Sequence, residues 1–294
     1  VFSAGYFAER ARLGVDAADP ERYCALNVAI YGGANRRWVL TEHPRAAIHR
    51  TPDHFALDRS TIRWEGDALV IDIVEQSAIA NLPVRGRVRL HPAQIHHAPV
   101  VLDPAARHRW WAIAPRARIE VELDAPRLRF RGSGYHDSNF GDGPLEGDFH
   151  DWWWSRAELA SGTAVLYDAR VRGEASARRL GWRFADDGRV EPIEVPQVRQ
   201  LRRTLWWMPR ELRHDAGARH VGVVRTLEDA PFYSRSWLRT ELLGEQVHAM
   251  HESLSLDRFR SPVVQWMLPY KTRRADPKAL GQPAALPRPA EREP

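Results

Sequence analysis

The sequence predicts an all-β protein made of two tandem antiparallel barrels or sandwiches, and three observations carry that prediction. Apolar and polar residues alternate along many short runs, as Ile119, Val121 and Leu123 do against Arg118, Glu120 and Glu122. A period of two sends successive side chains to opposite faces of a strand, one to a core and one to water. Turn signals such as Glu65-Gly66-Asp67, Asp187-Gly188 and Gly244 separate these runs, and no segment sustains a long 3.6-residue apolar period. A chain of 294 residues is long enough for two such domains.

Taken in order, residues 5–13 fit either a short helix or a strand end running into a loop at 16–20. Alternating runs at 25–31, 37–41, 60–64 and 69–74 follow, the last two joined at Gly66, and 85–90 continues the series. Two more runs cover 119–123 and 128–130. Beyond a Gly-rich stretch, strands are expected at 164–172, 180–184, 190–195, 197–207, 220–227, 233–243 and 245–256. These divide into a first domain over 1–158, a second over 159–270, and a disordered tail over 271–294 rich in Pro, Ala and charge. Val1 to Tyr6 already reads as part of an element and the first residue is not Met, so natural sequence is expected upstream of Val1.

Composition removes several classes of function. No run approaches the roughly 20 apolar residues of a membrane-spanning helix, so no span is expected. The single cysteine, Cys24, excludes an internal disulfide and any cysteine-built zinc site, and a cytoplasmic location is the simplest expectation. Net charge is +5, but its arginines alternate along strands, as Arg85, Arg87 and Arg89 do, without forming a basic block. Nucleic acid is therefore not an expected partner, and an anionic membrane surface fits better. His248 and His251 are three apart, which on a strand throws their rings to opposite faces, and His91, His96 and His97 form no helix-borne ligand motif. No metal site is expected. With no nucleophile elbow, phosphate loop or dinucleotide fingerprint, no cofactor is expected either.

The least ordinary stretch is 132–156, GSGYHDSNFGDGPLEGDFHDWWWSR. Tyr135 and Asp137 are two apart and share a face in an extended backbone, placing a carboxyl beside a ring. Flanking glycines suggest a short strand exposed at a rim. His108 and Trp110 form a second such pair one hairpin earlier. Two neighbouring strands that each present a polar group and a ring would build an apolar pocket holding a carboxyl and an imidazole. A structural reading stays open beside the catalytic one: the tryptophans pack, the histidine only hydrogen-bonds, and Asp137 closes a turn. Glu146, Asp148 and Asp151 read as a solvated acidic loop.

The same stretch resembles the signature of the carotenoid 1,2-hydratases, also called hydroxyneurosporene synthases, in its Gly-Tyr-x-Asp-x-Asn-x-Gly, Pro-Leu-Glu and Trp-x-Trp-x-Arg series. CALNVAIYGGANRRWVL at 24–40, RGRVRLHP at 85–92, HRWWAIAP at 108–115, APFYSRSWLRTELLGE at 230–245 and VVQWMLPY at 263–270 are similar to that family too. The resemblance implies two lipocalin-like β-domains and a cofactor-independent lyase. Its reaction would add water to the terminal C1=C2 bond of an acyclic carotenoid of the neurosporene or lycopene type, giving a 1-hydroxy product. It implies His108, Trp110, Tyr135 and Asp137 as catalytic positions, with the first barrel incomplete if the chain begins at Val1. The implied partners are the carotenoid, water and a membrane surface, for a cytoplasmic protein attached peripherally to the bilayer.

On this reading Asp137 protonates C2, Trp110 and Tyr135 face the tertiary cation at C1, and His108 either handles the attacking water or reloads Asp137. A lipocalin-like polyene carrier, or an isomerase or cyclase on the same scaffold, are the competing expectations. The three tryptophans at 152–154 are assigned to packing, and 144–156 to closing the first barrel.

Overall fold

The computed structural model describes residues 3–14 and 18–275. Its strands, in chain order, are β1 (Cys24–Ile30), β2 (Arg37–His43), β3 (Ile48–Arg50), β4 (His54–Leu57), β5 (Ser60–Glu65), β6 (Ala68–Gln76), β7 (Pro83–Pro92), β8 (Val100–Val101), β9 (His108–Ala125) and β10 (Leu128–Gly141). They continue as β11 (Phe149–Leu159), β12 (Gly162–Val171), β13 (Arg178–Ala185), β14 (Val190–Pro192), β15 (Gln197–Leu201), β16 (Arg210–His214), β17 (Gly222–Asp229), β18 (Tyr233–Leu242), β19 (Glu245–Ser255) and β20 (Arg273–Arg274). The α-helices are α1 (Ala4–Leu13), α2 (Leu145–Asp148), α3 (Leu256–Phe259) and α4 (Pro262–Met267). None is long and apolar enough to cross a membrane.

The described residues fall into two compact units. One gathers those of Val1–His91, Ile119–Gly132 and Met267–Pro294. Here β3 to β7 form an antiparallel meander that continues into β9 and β10, while β1 and β2 pair antiparallel in a second sheet. Val39, Ile73 and Val84 are buried between them with Val28, Ile30, Ile71 and Val88. Gly86 is required where β7 meets β9: its φ is 145°, and a Cβ there would stand 2.3 Å from the Glu122 carbonyl oxygen.

The other unit comprises Pro92–Arg118 and Ser133–Trp266. Its centre is a seven-stranded antiparallel sheet in the order β14-β13-β12-β11-β19-β18-β17. One face buries Ala157, Leu159, Ala164, Leu166, Leu242 and Ala249. On that face the β15–β16 ribbon docks through Arg213, whose guanidinium donates to both oxygens of buried Asp168 at 2.9 and 2.6 Å. Trp152, Trp154 and Arg156 of β11 lie on the opposite face, together with Tyr167, which pairs in register with Trp154.

Several elements depart from the sequence expectation. Of the two readings open for residues 5–13, the helix is the one found, over 4–13, with the Ser3 hydroxyl accepting from the Tyr6 N–H at its N-terminus; the others are departures. The short runs at 119–123 and 128–130 are parts of two long strands, and β10 passes straight through Gly132 and Gly134; Tyr135 and Asp137 thus stand on a long strand, which is the terminal one of its sheet. The acidic loop is an error of reading: Asp148 and Asp151 are buried and paired. The expected strand at 197–207 stops at Leu201, and β16 was missed. Because β9 and β10 contribute to both units, the units interleave along the chain. We propose the division into a first β-domain over 1–158 and a second over 159–270 as the sequence has it. Most of the expected tail lies outside the described residues; its beginning is described, and Arg273–Arg274 pair in parallel with β2.

Candidate active site

Trp110, Tyr135 and Asp137 converge in the second unit. Asp137 Oδ2 accepts two hydrogen bonds, from Trp110 Nε1 at 2.8 Å and from the Tyr135 hydroxyl at 2.9 Å. The first comes from β9, the second from the residue two positions back along β10, as the shared-face argument requires. Oδ1 takes neither bond. Burial pushes the Asp137 carboxyl above its ordinary value, and the Glu252 carboxylate adds to that; the two hydrogen bonds and Arg235 oppose it. Burial next to Asp137 also raises Tyr135 well above the usual phenol value, which keeps it a neutral donor.

An aromatic wall surrounds this carboxyl. The fully buried Trp110 ring lies 5.3 Å from Trp182 and 5.8 Å from Tyr167, and Tyr135 lies 5.1 Å from Trp154. Trp152 completes the row at 6.1 Å from Tyr167. The Arg156 guanidinium sits 5.6 Å over the Tyr135 ring and donates to the carbonyls of Gly134 at 3.1 Å and Pro115 at 3.3 Å. It thus ties β11 to both β9 and β10, and its burial lowers its pKa.

His108 occupies the same face of β9 as Trp110 but is engaged elsewhere. Its Nε2 lies 2.6 Å from Asp148 Oδ2, and Arg107 holds the other oxygen of that carboxylate. Asp103 accepts from the His108 N–H at 2.7 Å, and the ring packs edge-on to Phe149 at 5.1 Å. Gly141 has no room for a side chain, since a Cβ would stand 2.9 Å from His108 Nδ1. Burial lowers the imidazole pKa. Arg107 adds to that lowering, while Asp103 and Asp142 oppose it.

The four sequence-chosen residues therefore divide into a hydrogen-bonded trio and a histidine with its own partners. Sequence reasoning missed Trp154, Tyr167, Trp182 and Arg156 as site neighbours; it favoured packing for the three tryptophans, and Trp152 and Trp154 do pack on Tyr167 and Tyr135. Alternation along 149–159 carried the signal, because Trp152, Trp154 and Arg156 share one parity. Asp148 had no such signal: 40 residues separate it from His108.

Comparison with known proteins places these residues in a family. The family model for carotenoid hydratase CrtC matches residues 1–280. The chain is 47% identical over 272 residues to the acyclic carotenoid 1,2-hydratase of Thiocapsa roseopersicina and 43% identical to that of Rubrivivax gelatinosus, in each case covering 92% of this chain and 66% of the relative. It thus spans just under two thirds of the length of those relatives. Against the acyclic carotenoid 1,2-hydratase of Cereibacter sphaeroides the identity is 39%, covering 85% of this chain and 88% of the relative. Among solved structures, a protein assigned as AttH from Nitrosomonas europaea aligns with a TM-score of 0.55 at 11% identity, covering 75% of this chain and 77% of that one, a likeness that bears on the lipocalin-like β fold alone. With its motif residues gathered as described, the chain belongs to the carotenoid hydratase CrtC family.

Proposed function

We propose that the protein hydrates the terminal C1=C2 bond of an acyclic carotenoid by acid catalysis, without a cofactor. The observation that carries this reading is Asp137, a carboxyl with a raised pKa whose Oδ2 is held by Trp110 and Tyr135. Both donors bind the same oxygen, so the proton resides on Oδ1 and is delivered from there to C2 of the alkene. The C=C electron pair forms the C2–H bond, leaving a tertiary cation at C1. Electron-rich faces of Trp110 and the neighbouring aromatics stabilise that cation, by roughly 2 kcal/mol or more per desolvated contact. Water adds to C1, and the proton lost from the resulting oxonium returns to the Asp137 carboxylate, so atoms and charge balance over one turnover.

His108 is given a positioning role here. Its anchorage between Asp103 and Asp148 fixes the start of β9, two residues before Trp110. The polyene itself is apolar and dissolves in bilayers, so the protein would work at a membrane surface as a peripheral protein.

The test is incubation with neurosporene or lycopene. Gain of one water by mass spectrometry, with deuterium at C2 when the reaction runs in heavy water, supports the assignment. Binding without a mass change fits a carrier, and an isomer of unchanged mass fits an isomerase or cyclase; either result rejects it.

A further inference from the structure

We infer that the loop between β15 and β16 is the element that inserts into the bilayer surface, with anionic lipid headgroups as its partner. This deepens the membrane-surface reading above and rests on it. Leu205, Trp206 and Trp207 are consecutive, and they are 93%, 48% and 70% exposed. Three large apolar side chains in a row, all facing water, are an anomaly in a folded domain unless something covers them.

The loop is built to hold them outward. Met208 is fully buried beneath it, and its N–H donates to the Thr204 hydroxyl at 3.1 Å. The Trp207 N–H donates to the Thr204 carbonyl at 3.0 Å, and the Trp206 N–H to Asp229 at 3.2 Å. From α3, the Arg258 guanidinium donates to the carbonyls of Trp206 at 2.7 Å and Trp207 at 3.1 Å. Trp207 itself takes a left-handed backbone, φ 61°, which a bulky side chain adopts only when its surroundings impose it. Ordinary collapse would turn these side chains inward; here six backbone groups are spent on the opposite arrangement.

Charge selects the occupant. Between Glu194 and Glu211 there is no acidic residue, while Arg199, Arg202 and Arg203 flank the tip and are exposed. Tryptophan and arginine together suit the headgroup region, where an indole is apolar on its faces and polar at its edge and a guanidinium pairs with phosphate. A protein partner fits worse: a stable interface buries about 800 Å² per partner, more than a three-residue tip presents. α4 follows α3 by two residues and carries a second exposed pair, Val263 and Trp266, each about two-thirds exposed. The loop is pinned at the β17–β18 turn, and that sheet carries Arg235 opposite Glu252 and Glu252 opposite Trp154. The anchor therefore stands at one end of the sheet that walls the candidate site.

The experiment is vesicle flotation of the full chain. The parent should float with phosphatidylglycerol/phosphatidylcholine vesicles and less with phosphatidylcholine alone. Combined Leu205→Ser, Trp206→Ser and Trp207→Ser substitution should weaken partitioning by about 10–100-fold. Equal flotation of parent and variant overturns the inference, as does a parent that stays in the soluble fraction at low salt. Should the triple variant fail to fold by circular dichroism, Leu205→Cys in a Cys24→Ser background, labelled with a polarity-sensitive dye, decides the matter: a blue shift on adding vesicles supports insertion and an unchanged spectrum rejects it. Turnover of a detergent-dispersed polyene should survive the triple substitution. Its absence in the parent, with flotation intact, would reject the hydratase reading and leave the anchor standing.

Discussion

Replacing Asp137 by Asn tests the proposed chemistry with little structural disturbance. The amide oxygen can occupy the position of Oδ2 and still accept from Trp110 Nε1 and the Tyr135 hydroxyl, now at 2.8 and 2.9 Å from the carboxylate. The amide NH2 then replaces Oδ1, the oxygen assigned the proton. Hydrogen bonding and shape are kept, and only the transferable proton is lost. A positioned general acid contributes about 10²–10⁴-fold, so the barrier should rise by about 3–5 kcal/mol. Stability should not fall. A carboxyl whose folded pKa lies above its unfolded value makes folding less favourable as pH rises through that interval, and Asn removes this cost. The assay is product formation from neurosporene, read by chromatography and mass spectrometry, alongside a thermal melt at neutral pH. In the parent, turnover should be full below the raised pKa and decline as pH climbs through it. An Asn variant within tenfold of the parent, or a parent whose rate rises with pH across this range, refutes Asp137 as the acid.

Other perturbations report on its surroundings. Trp110→Phe removes the Nε1–H donor that stabilises the Asp137 carboxylate, so the falling limb of the pH–rate profile should move to higher pH; a shift to lower pH contradicts the hydrogen-bond assignment. Arg213→Ala strands the Asp168 carboxylate among buried groups and should cost about 3–5 kcal/mol in a denaturant titration, much of it recovered when Asp168 is replaced by Leu as well. His251 is fully buried, with its pKa lowered to about 3 from 6.5 by burial, and its Nδ1 is 2.7 Å from the Ser155 hydroxyl. Below pH 6.5 the unfolded chain takes up a proton that the native chain refuses, so this residue should subtract about 1.4 kcal/mol of stability per pH unit on acidification. Comparing parent with His251→Gln between pH 7 and 4 should show a shallower loss in the variant, and parallel curves would exclude the effect.

What the sequence made legible was local. Alternation placed Tyr135 with Asp137 and His108 with Trp110 on shared faces, because strand geometry converts spacing directly into direction. It could not reveal that His108 would be claimed by Asp148, a contact made only when distant segments meet. Nor did it distinguish an apolar run that is buried from one that is displayed. Leu205, Trp206 and Trp207 looked like the end of a strand, yet the chain leaves the ribbon at Leu201 and turns them to solvent. β3 and β4, three and four residues long, were too short to show a period. The glycines at 132 and 134 misled in the opposite sense: a residue that permits a turn does not compel one, and β10 runs through both.

The pairing of both donors with one oxygen of Asp137 has a stereochemical consequence. If Oδ2 is fixed by two bonds and Oδ1 alone carries the proton, delivery comes from one direction relative to the aromatic wall, and the polyene end lying against that wall offers one face. C1 of the product carries two methyl groups and records nothing. C2, however, receives the new hydrogen, and in heavy water it becomes a CHD carbon of single handedness, a stereocentre made by isotope alone. The orientation of one carboxyl would then be written into a molecule whose ordinary form keeps no trace of it.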